Sequence, residues 1–410
     1  MIADVAVLAA FAFFFSLISA RIRSTLLTGP MFFIGFGLLV GPWGLRIIDI
    51  TVDASGVRIL ADWTLALVLF TDAADANRSA LVRKIGISER MLLLGLPLAM
   101  LLGTLLGWVM FGQLGLYQAA IVATCLAATD AALGKECLHD ESVPTYMRTG
   151  LNVESGLNDG MTVPVLLVLI SLSLAAPGVG LAVSDVILIV MREISIGVLV
   201  GVATVAIGVL LMQQAARFGW IDPVWNQIPV IALAVCSFAI AQELHGSGYI
   251  AAFCGGLMFR QLTKRLSHKM TATATEAGET MALLVWVLFG TVMLDTILPV
   301  FEWPMLLYGF LSLTVIRTAA IILSLAGSGE TLPAKIYLGW FGPRGLASIV
   351  FVVIVTDAGV SGADYIAGVV FCTILMSVFM HGLSTHPFSR VLAKADMLEK
   401  QARNQKASEL

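Results

Sequence analysis

Charge is what this sequence lacks most. Of its 410 residues only 12% are charged and 59% are hydrophobic, whereas a soluble domain carries roughly 25% charged residues. That shortage excludes a water-soluble chain. The formal net charge of −3 offers no basic excess, so no nucleic-acid partner is suggested. Cysteine is sparse as well: Cys125, Cys137, Cys236, Cys254 and Cys372 lie in or beside apolar stretches without metal-ligand spacing and read as small packing residues. No His/Glu zinc spacing or paired catalytic motif lies at depth, which argues against an intramembrane enzyme. The apolar stretches do not alternate with polar residues as the strands of a membrane barrel do. Residues 1–20 lack a basic n-region and a small-residue cleavage site, so they are expected to be a retained span and not a signal peptide.

What the sequence has is a series of apolar runs of about 20 residues, the length a helix needs to cross the hydrocarbon core. Lipid requires each spanning segment to satisfy its own backbone, so these runs are read as helices. The pattern predicts about 13, over roughly 2–20, 28–48, 58–76, 91–112, 117–136, 144–174, 182–213, 226–244, 248–262, 276–298, 303–326, 334–356 and 363–383. With the N-terminus outside, the connectors left outside hold only Arg46 and Arg58, while the remaining basic connector and tail residues fall inside. The expectation is a multi-pass protein of the inner (plasma) membrane, with its C-terminus in the cytoplasm. Arg192, Arg317 and Arg344 remain within the spans.

An offset of 219 residues superposes Gly29, Gly37, Leu38, Leu69 and Phe70 on Gly248, Gly256, Leu257, Leu288 and Phe289. It pairs helices 2 and 3 with helices 9 and 10, and seven helices apart means inverted topology. Helix 5 should then pair with helix 12, and both carry sequence unsuited to a smooth helix. Helix 5 has Thr129-Asp130 and Gly134; helix 12 has Gly339 and Gly342-Pro343-Arg344-Gly345, where proline removes a donor and glycine weakens the helix. The fold expected is therefore an all-α polytopic membrane protein with inverted repeats and two broken helices crossing at the midplane. Asp130 and Arg344 are placed to neutralise the facing half-helix ends.

An ionisable group at the bilayer centre costs several kcal/mol, so each one asks for a role and a partner. The densest set is Asn152-Val153-Glu154-Ser155-Gly156-Leu157-Asn158-Asp159 in helix 6. Glu154 with Asn158, and Ser155 with Asp159, are four apart and share a broad face. Carboxylate, hydroxyl and carbonyl oxygens from Asp159, Ser155 and Thr129 suit a small hard cation such as Na+ or Li+. Glu154 is expected to be held ionised by Arg317, leaving Asp159 to bind either H+ or the metal ion. Competition for one carboxylate is itself an exchange mechanism, and the neutral neighbour Asn158 leaves one titrating group, hence 1:1 stoichiometry. Other polar groups receive plainer readings. Arg192-Glu193 reads as a local or snorkelling pair, and Glu276 and Glu279 as first-turn acids. Asp72 and Asp75 end helix 3 at the cytoplasmic mouth, where Asp72 is a candidate for ion access. His245 and His381 read as polar helix termini, and Gly255-Gly256 as helix packing.

The segment from Val143-Pro144 through Asn152 to Gly160 resembles the signature of the monovalent cation:proton antiporter family, which includes bacterial NhaP-type sodium/proton antiporters and animal sodium/hydrogen exchangers. Leu69-Phe70-Thr71-Asp72, Thr129-Asp130, Gly246-Ser247-Gly248, Ala251-Ala252-Phe253, Gly339 to Gly345 and His381-Gly382-Leu383 carry the same resemblance across nearly the whole chain. It implies a 13-helix homodimer in which helices 1–3 and 7–10 dimerise while helices 4–6 and 11–13 carry the ion by an elevator-type motion. Residues 1–390 would form this antiporter domain and 391–410 a short cytoplasmic tail, with no large regulatory domain. By matching position Asp159 is the transport carboxylate, Asn158 its neutral neighbour, Glu154 the partner of Arg317, Thr129-Asp130 the helix-5 break and Arg344 the helix-12 arginine. One departure is Ala131, where the family shows proline. The function this implies is electroneutral Na+ (or Li+)/H+ exchange with no cofactor beyond the transported ions. A K+/H+ antiporter is the alternative within the fold, a cation channel the alternative outside it, and an anion carrier built on Arg317 and Arg344 leaves Asp159 unexplained.

Overall fold

A computed structural model of the chain describes residues 2–23, 25, 27–47, 54–75, 86–130, 143–175, 183–222, 225, 228–263 and 267–408. Among them all regular structure is helical. The helices are α1 (Ile2–Arg23), α2 (Gly29–Val40), α3 (Ala54–Asp75), α4 (Gly86–Met110), α5 (Leu116–Cys125), α6 (Thr145–Leu174), α7 (Val183–Arg217), α8 (Ile228–Glu243), α9 (Gly248–Thr263), α10 (Ser267–Ile297) and α11 (Trp303–Ser324). A divided helix follows, α12a (Leu332–Trp340) and α12b (Leu346–Asp357), and then α13 (Ala363–Ser408). Six of these carry stretches long and apolar enough to cross a membrane: α4, α6, α7, α10, α11 and α13. This is a polytopic helical membrane protein.

Several boundaries depart from expectation, for one reason. Hydropathy marks the part of a helix that lies in lipid, whereas the backbone continues as long as its hydrogen bonds do. Thus α10 starts at Ser267, which puts Glu276 and Glu279 well inside the helix and corrects their reading as first-turn acids. Likewise α13 does not stop near residue 383 but runs to Ser408, through the segment expected to be a separate tail. In the other direction, α5 ends at Cys125, short of the predicted 136. Ala131, Gly134, Lys135 and Cys137 lie outside the described residues, as do Arg78, Arg83, Lys84, Lys264 and Arg265.

Close packing is made by glycine. A Cβ on Gly37 of α2 would run into the backbone of Val287 and Gly290 on α10, and one on Gly256 of α9 would run into Phe70 and Ala73 on α3. Gly37 and Gly256 are 219 residues apart, and the helices they sit against, α10 and α3, are paired by the same offset. A second correspondence lies in α4 and α11. In α4 the Leu96 N–H reaches back five residues to Met91 O, and in α11 the Arg317 N–H reaches back five to Ser312 O. These wide turns, which place one extra residue in the helix, span Met91–Gly95 and Ser312–Ile316.

Gly256→Ala should lower the unfolding free energy by about 1–3 kcal/mol through overpacking against Phe70. Gly35→Ala, with nothing within 4 Å of the new Cβ, should be neutral or slightly stabilising, because alanine favours a helix by about 1 kcal/mol over glycine. Melting of the detergent-solubilised variants checks both, and equal midpoints would refute the packing argument.

Candidate functional site

The end of one helix and the break in another meet inside the bundle. The chain leaves α5 after Cys125, and 126–130 are non-helical; likewise 341–345 separate α12a from α12b. Each interruption strands backbone groups that a helix would have paired, and lipid offers no water to satisfy them. They are satisfied mutually. Arg344, 2% exposed, donates to Ala127 O and Ala128 O at 3.1 and 3.2 Å. Ser348 donates to Cys125 O at 2.7 Å. In return Leu346 N–H, in the first turn of α12b, donates to Asp130 Oδ2 at 3.0 Å, and Asp130 N–H donates to Pro343 O at 2.8 Å. A cation thus sits at the carbonyl end of α5 and a carboxylate at the amide end of α12b, each on the side the helix dipole favours. Pro343 has no N–H to lose, and its flanking glycines make room. A side chain on Gly342 would occupy the place of the Arg317 guanidinium, and one on Gly345 the place of the Asp130 carboxylate.

Against this crossing lies the polar face of α6. Glu154 is 1% exposed and accepts two parallel bonds from Arg317, Nη1 to Oε1 at 3.0 Å and Nη2 to Oε2 at 2.9 Å. Asn158, fully buried, donates from Nδ2 to Thr129 Oγ1 and to Glu154 Oε1 at 3.4 Å, and accepts from Thr129 N–H at 3.4 Å. Ser155 donates to Thr129 O. The structure therefore brings Thr129, Asp130, Glu154, Ser155, Asn158, Arg317 and Arg344 into one connected network. Asp159 stands on the same face as Ser155, 7% exposed, and its Oδ1 has no hydrogen-bond partner. It lies within electrostatic reach of Asp130, Asp72, Glu154 and Arg344. Carboxylate, hydroxyl and peptide carbonyl oxygens are the polar atoms on this face, the ligand types that hard cations take. Among the described residues no group of three or more His, Cys, Asp or Glu with metal-holding geometry is found.

The remaining sequence candidates fall as follows. Asp72 on α3 packs over Gly156, its Cβ 3.2 Å from where a Cβ of Gly156 would stand, which puts it beside α6 three residues from Asp159. Asp75 accepts from Thr271 Oγ1 at 2.6 Å and ties α3 to α10. Arg192 is exposed and Glu193 half-buried, away from the network. His245 is exposed at the end of α8 with φ 57. His381 is not a polar terminus: it is buried inside α13 against the α12 break. Sequence reasoning missed that contact, and it missed Ser348 and Ser377, whose signal was only a small hydroxyl within an apolar run.

A family model described as the transmembrane sodium/hydrogen exchanger matches residues 7–391. The chain belongs to that family, one of monovalent cation:proton antiporters and not of enzymes. It is 24% identical over 403 residues to the K(+)/H(+) antiporter NhaP2 of Shewanella oneidensis, covering 96% of this chain and 67% of that one. It is 23% identical over 312 residues to the Na(+)/H(+) antiporter of Schizosaccharomyces pombe, covering 68% of this chain and 66% of the other. The chain spans about two thirds of the length of these relatives. Its fold is that of the sodium proton antiporter MjNhaP1 from Methanocaldococcus jannaschii, with a TM-score of 0.72 at 19% identity over 93% of this chain and 99% of that one.

The twofold pairing of Arg317 with Glu154 carries its own prediction. Arg317→Ala strands a buried carboxylate and should cost about 3–5 kcal/mol of stability, read as a lower melting midpoint. Adding Glu154→Gln should restore part of the loss. A single variant as stable as the parent would mean that the pair does not hold the site together.

Proposed function

We propose that this protein exchanges one monovalent cation, Na+ or Li+, for one proton across the plasma membrane, with Asp159 as the group that carries either ion. The observation that supports this above the others is the partnerless Oδ1 of Asp159 in a network whose other carboxylates are engaged. The charges favour the same reading. Asp159 stands among Asp130, Asp72 and Glu154 with Arg344 within reach, and a cation or a proton on it relieves that excess of negative charge. The residue beside Asp159 on α6 is the neutral Asn158, which supports an electroneutral 1:1 exchange.

The transport motion we infer is of the elevator type. Every member of the network sits on α5, α6, α11, α12a, α12b or α13 or their connectors, and these with α4 form the moving group. Helices α1–α3 and α7–α10 form the stationary group, which dimerises with a second copy and faces α6 through Asp72 and the Phe253 ring laid over Gly160. An inverted repeat supplies the two facings; the reciprocal seats of Gly37 and Gly256, and the wide turns of α4 and α11, support it. We infer an outside N-terminus and a cytoplasmic C-terminus from the basic residues of the connectors. A K+/H+ antiporter is the second reading, favoured by the name of a relative that matches 96% of the chain.

Purified protein in liposomes, loaded with a pH-sensitive dye and given Na+, Li+ or K+ in turn, tests the proposal. Na+ and Li+ should drive proton counterflow that an imposed membrane potential does not change. Asp159→Asn should abolish the signal while melting as the parent does. Retained exchange in that variant, or a current that follows the potential, would reject the assignment of Asp159 or the 1:1 ratio.

A further inference from the structure

The break in α12 rests against a histidine to which the exchange mechanism gives no role. His381 on α13 is 3% exposed. Its Nε2 lies 2.9 Å from Trp340 O, the carbonyl of the last residue of α12a. That same carbonyl accepts the Gly342 N–H at 2.9 Å. Its Nδ1 lies 3.1 Å from Ser377 Oγ and 3.0 Å from Ser377 O. Ser377 Oγ in turn accepts the Arg344 N–H at 2.7 Å. One imidazole and one hydroxyl therefore reach both sides of the non-helical 341–345 segment and fasten it to α13.

The proton positions follow from the partners. A peptide carbonyl only accepts, so Nε2 must donate to Trp340 O. Ser377 Oγ, having accepted from Arg344, retains its own proton and gives it to Nδ1. A neutral ring protonated on Nε2 answers Trp340 O and takes the Ser377 hydroxyl proton, at the cost of a bare Nδ1 lone pair beside Ser377 O at 3.0 Å, a carbonyl already within its own helix ladder. Protonation on Nδ1 alone would set two lone pairs against each other at Trp340 O. A doubly protonated ring would add a third buried cation next to Arg344 and Arg317, which burial disfavours. The same segment holds Gly342 against Arg317 and Gly345 against Asp130. Its position therefore sets where both of those charges stand relative to Asp159.

We propose that His381 and Ser377 form a neutral hydrogen-bonded staple that fixes the α12 break and so positions Arg344 and Asp130 at the cation site. His381 is a positioning residue; it does not touch the ion. Its effect on transport rests on the exchange reading above, whereas the staple itself does not.

The test uses full-length protein with two replacements. In His381→Gln the amide can donate to Trp340 O and accept from Ser377, so turnover and half-saturating cation concentration should stay within about twofold of the parent. In His381→Leu, similar in bulk but without hydrogen bonds, the half-saturating concentration should rise by about tenfold. A leucine variant equal to the parent overturns the proposal, and so does a glutamine variant as impaired as the leucine one, since the ring would then do more than make two bonds. Nitrogen-15 spectroscopy of histidine-labelled parent protein, with the His381 signal identified by its loss in His381→Gln, decides the matter without transport or a foldable leucine variant. A neutral ring protonated on Nε2 throughout the neutral pH range supports the staple; an Nδ1–H ring or an imidazolium overturns it. Should the parent exchange no monovalent cation at all, the function proposed above fails while the spectrum still judges the staple.

Discussion

The structure depends on one constraint: backbone amides and carbonyls cannot be left unpaired in the interior of a membrane protein, because there is no water to receive them. Two helices nonetheless stop in the middle of this bundle. Each stop exposes an uncompensated helix end, and the chain resolves the pair by crossing them, so that Arg344 and Ser348 serve the carbonyls of α5 while Asp130 serves the amides of α12b. The charges are not decoration on a broken helix; they are the condition for breaking it there. Having been placed for backbone reasons, they also fix the field in which Asp159 sits.

That field explains why the polar face of α6 divides its labour. Glu154 is consumed by a twofold bond to Arg317 and locks α6 to α11. Asn158 spends its amide on Thr129 and Glu154 and locks α6 to the α5 break. Only Asp159 is left with an oxygen that no protein donor reaches. Under the proposed function a carboxylate in that position would exchange one positive partner for another without disturbing its neighbours, since their bonds do not pass through it. Rigidity around the site and freedom at the site are thus two consequences of the same network.

Much of this was legible in the residues. Two acids and an asparagine within six positions of an apolar run announce a buried polar site whatever surrounds them, and Gly342-Pro343-Arg344-Gly345 announces a break because proline and glycine act locally. The pairing of Glu154 with Arg317 was foreseeable for the same reason: a buried charge needs an opposite one, and few were on offer. Helix ends were less legible. Glu276 was assigned to a first turn because hydropathy rises only after it, while the helix begins at Ser267. His381 reads as a terminus because the apolar run ends near residue 383, yet α13 runs on to Ser408. Its partner, Trp340 O, is a backbone atom 41 residues away, and no side-chain pattern encodes a carbonyl.

Glycine appears in two opposite roles, and the contrast bears on motion. At Gly37, Gly256, Gly342 and Gly345 the neighbour is a backbone, a guanidinium or a carboxylate pressed into the space a Cβ would take, and such seats resist displacement. At Gly156 and Gly160, where α6 faces α3 and α9, the neighbours are the Asp72 Cβ at ordinary-to-tight distance and the Phe253 ring, and the ring can turn about its own bonds. Of these six seats, the first four join helices within one proposed group and the last two lie between the groups. An elevator needs that distribution: a cation site whose internal distances survive the journey, and a boundary whose contacts can be made again one turn further along. In the proposed motion a charged, empty Asp159 carried past the Phe253 face would lose solvation with nothing in return, whereas either bound ion would remove that penalty, and on that proposal the exchange would be obligatory.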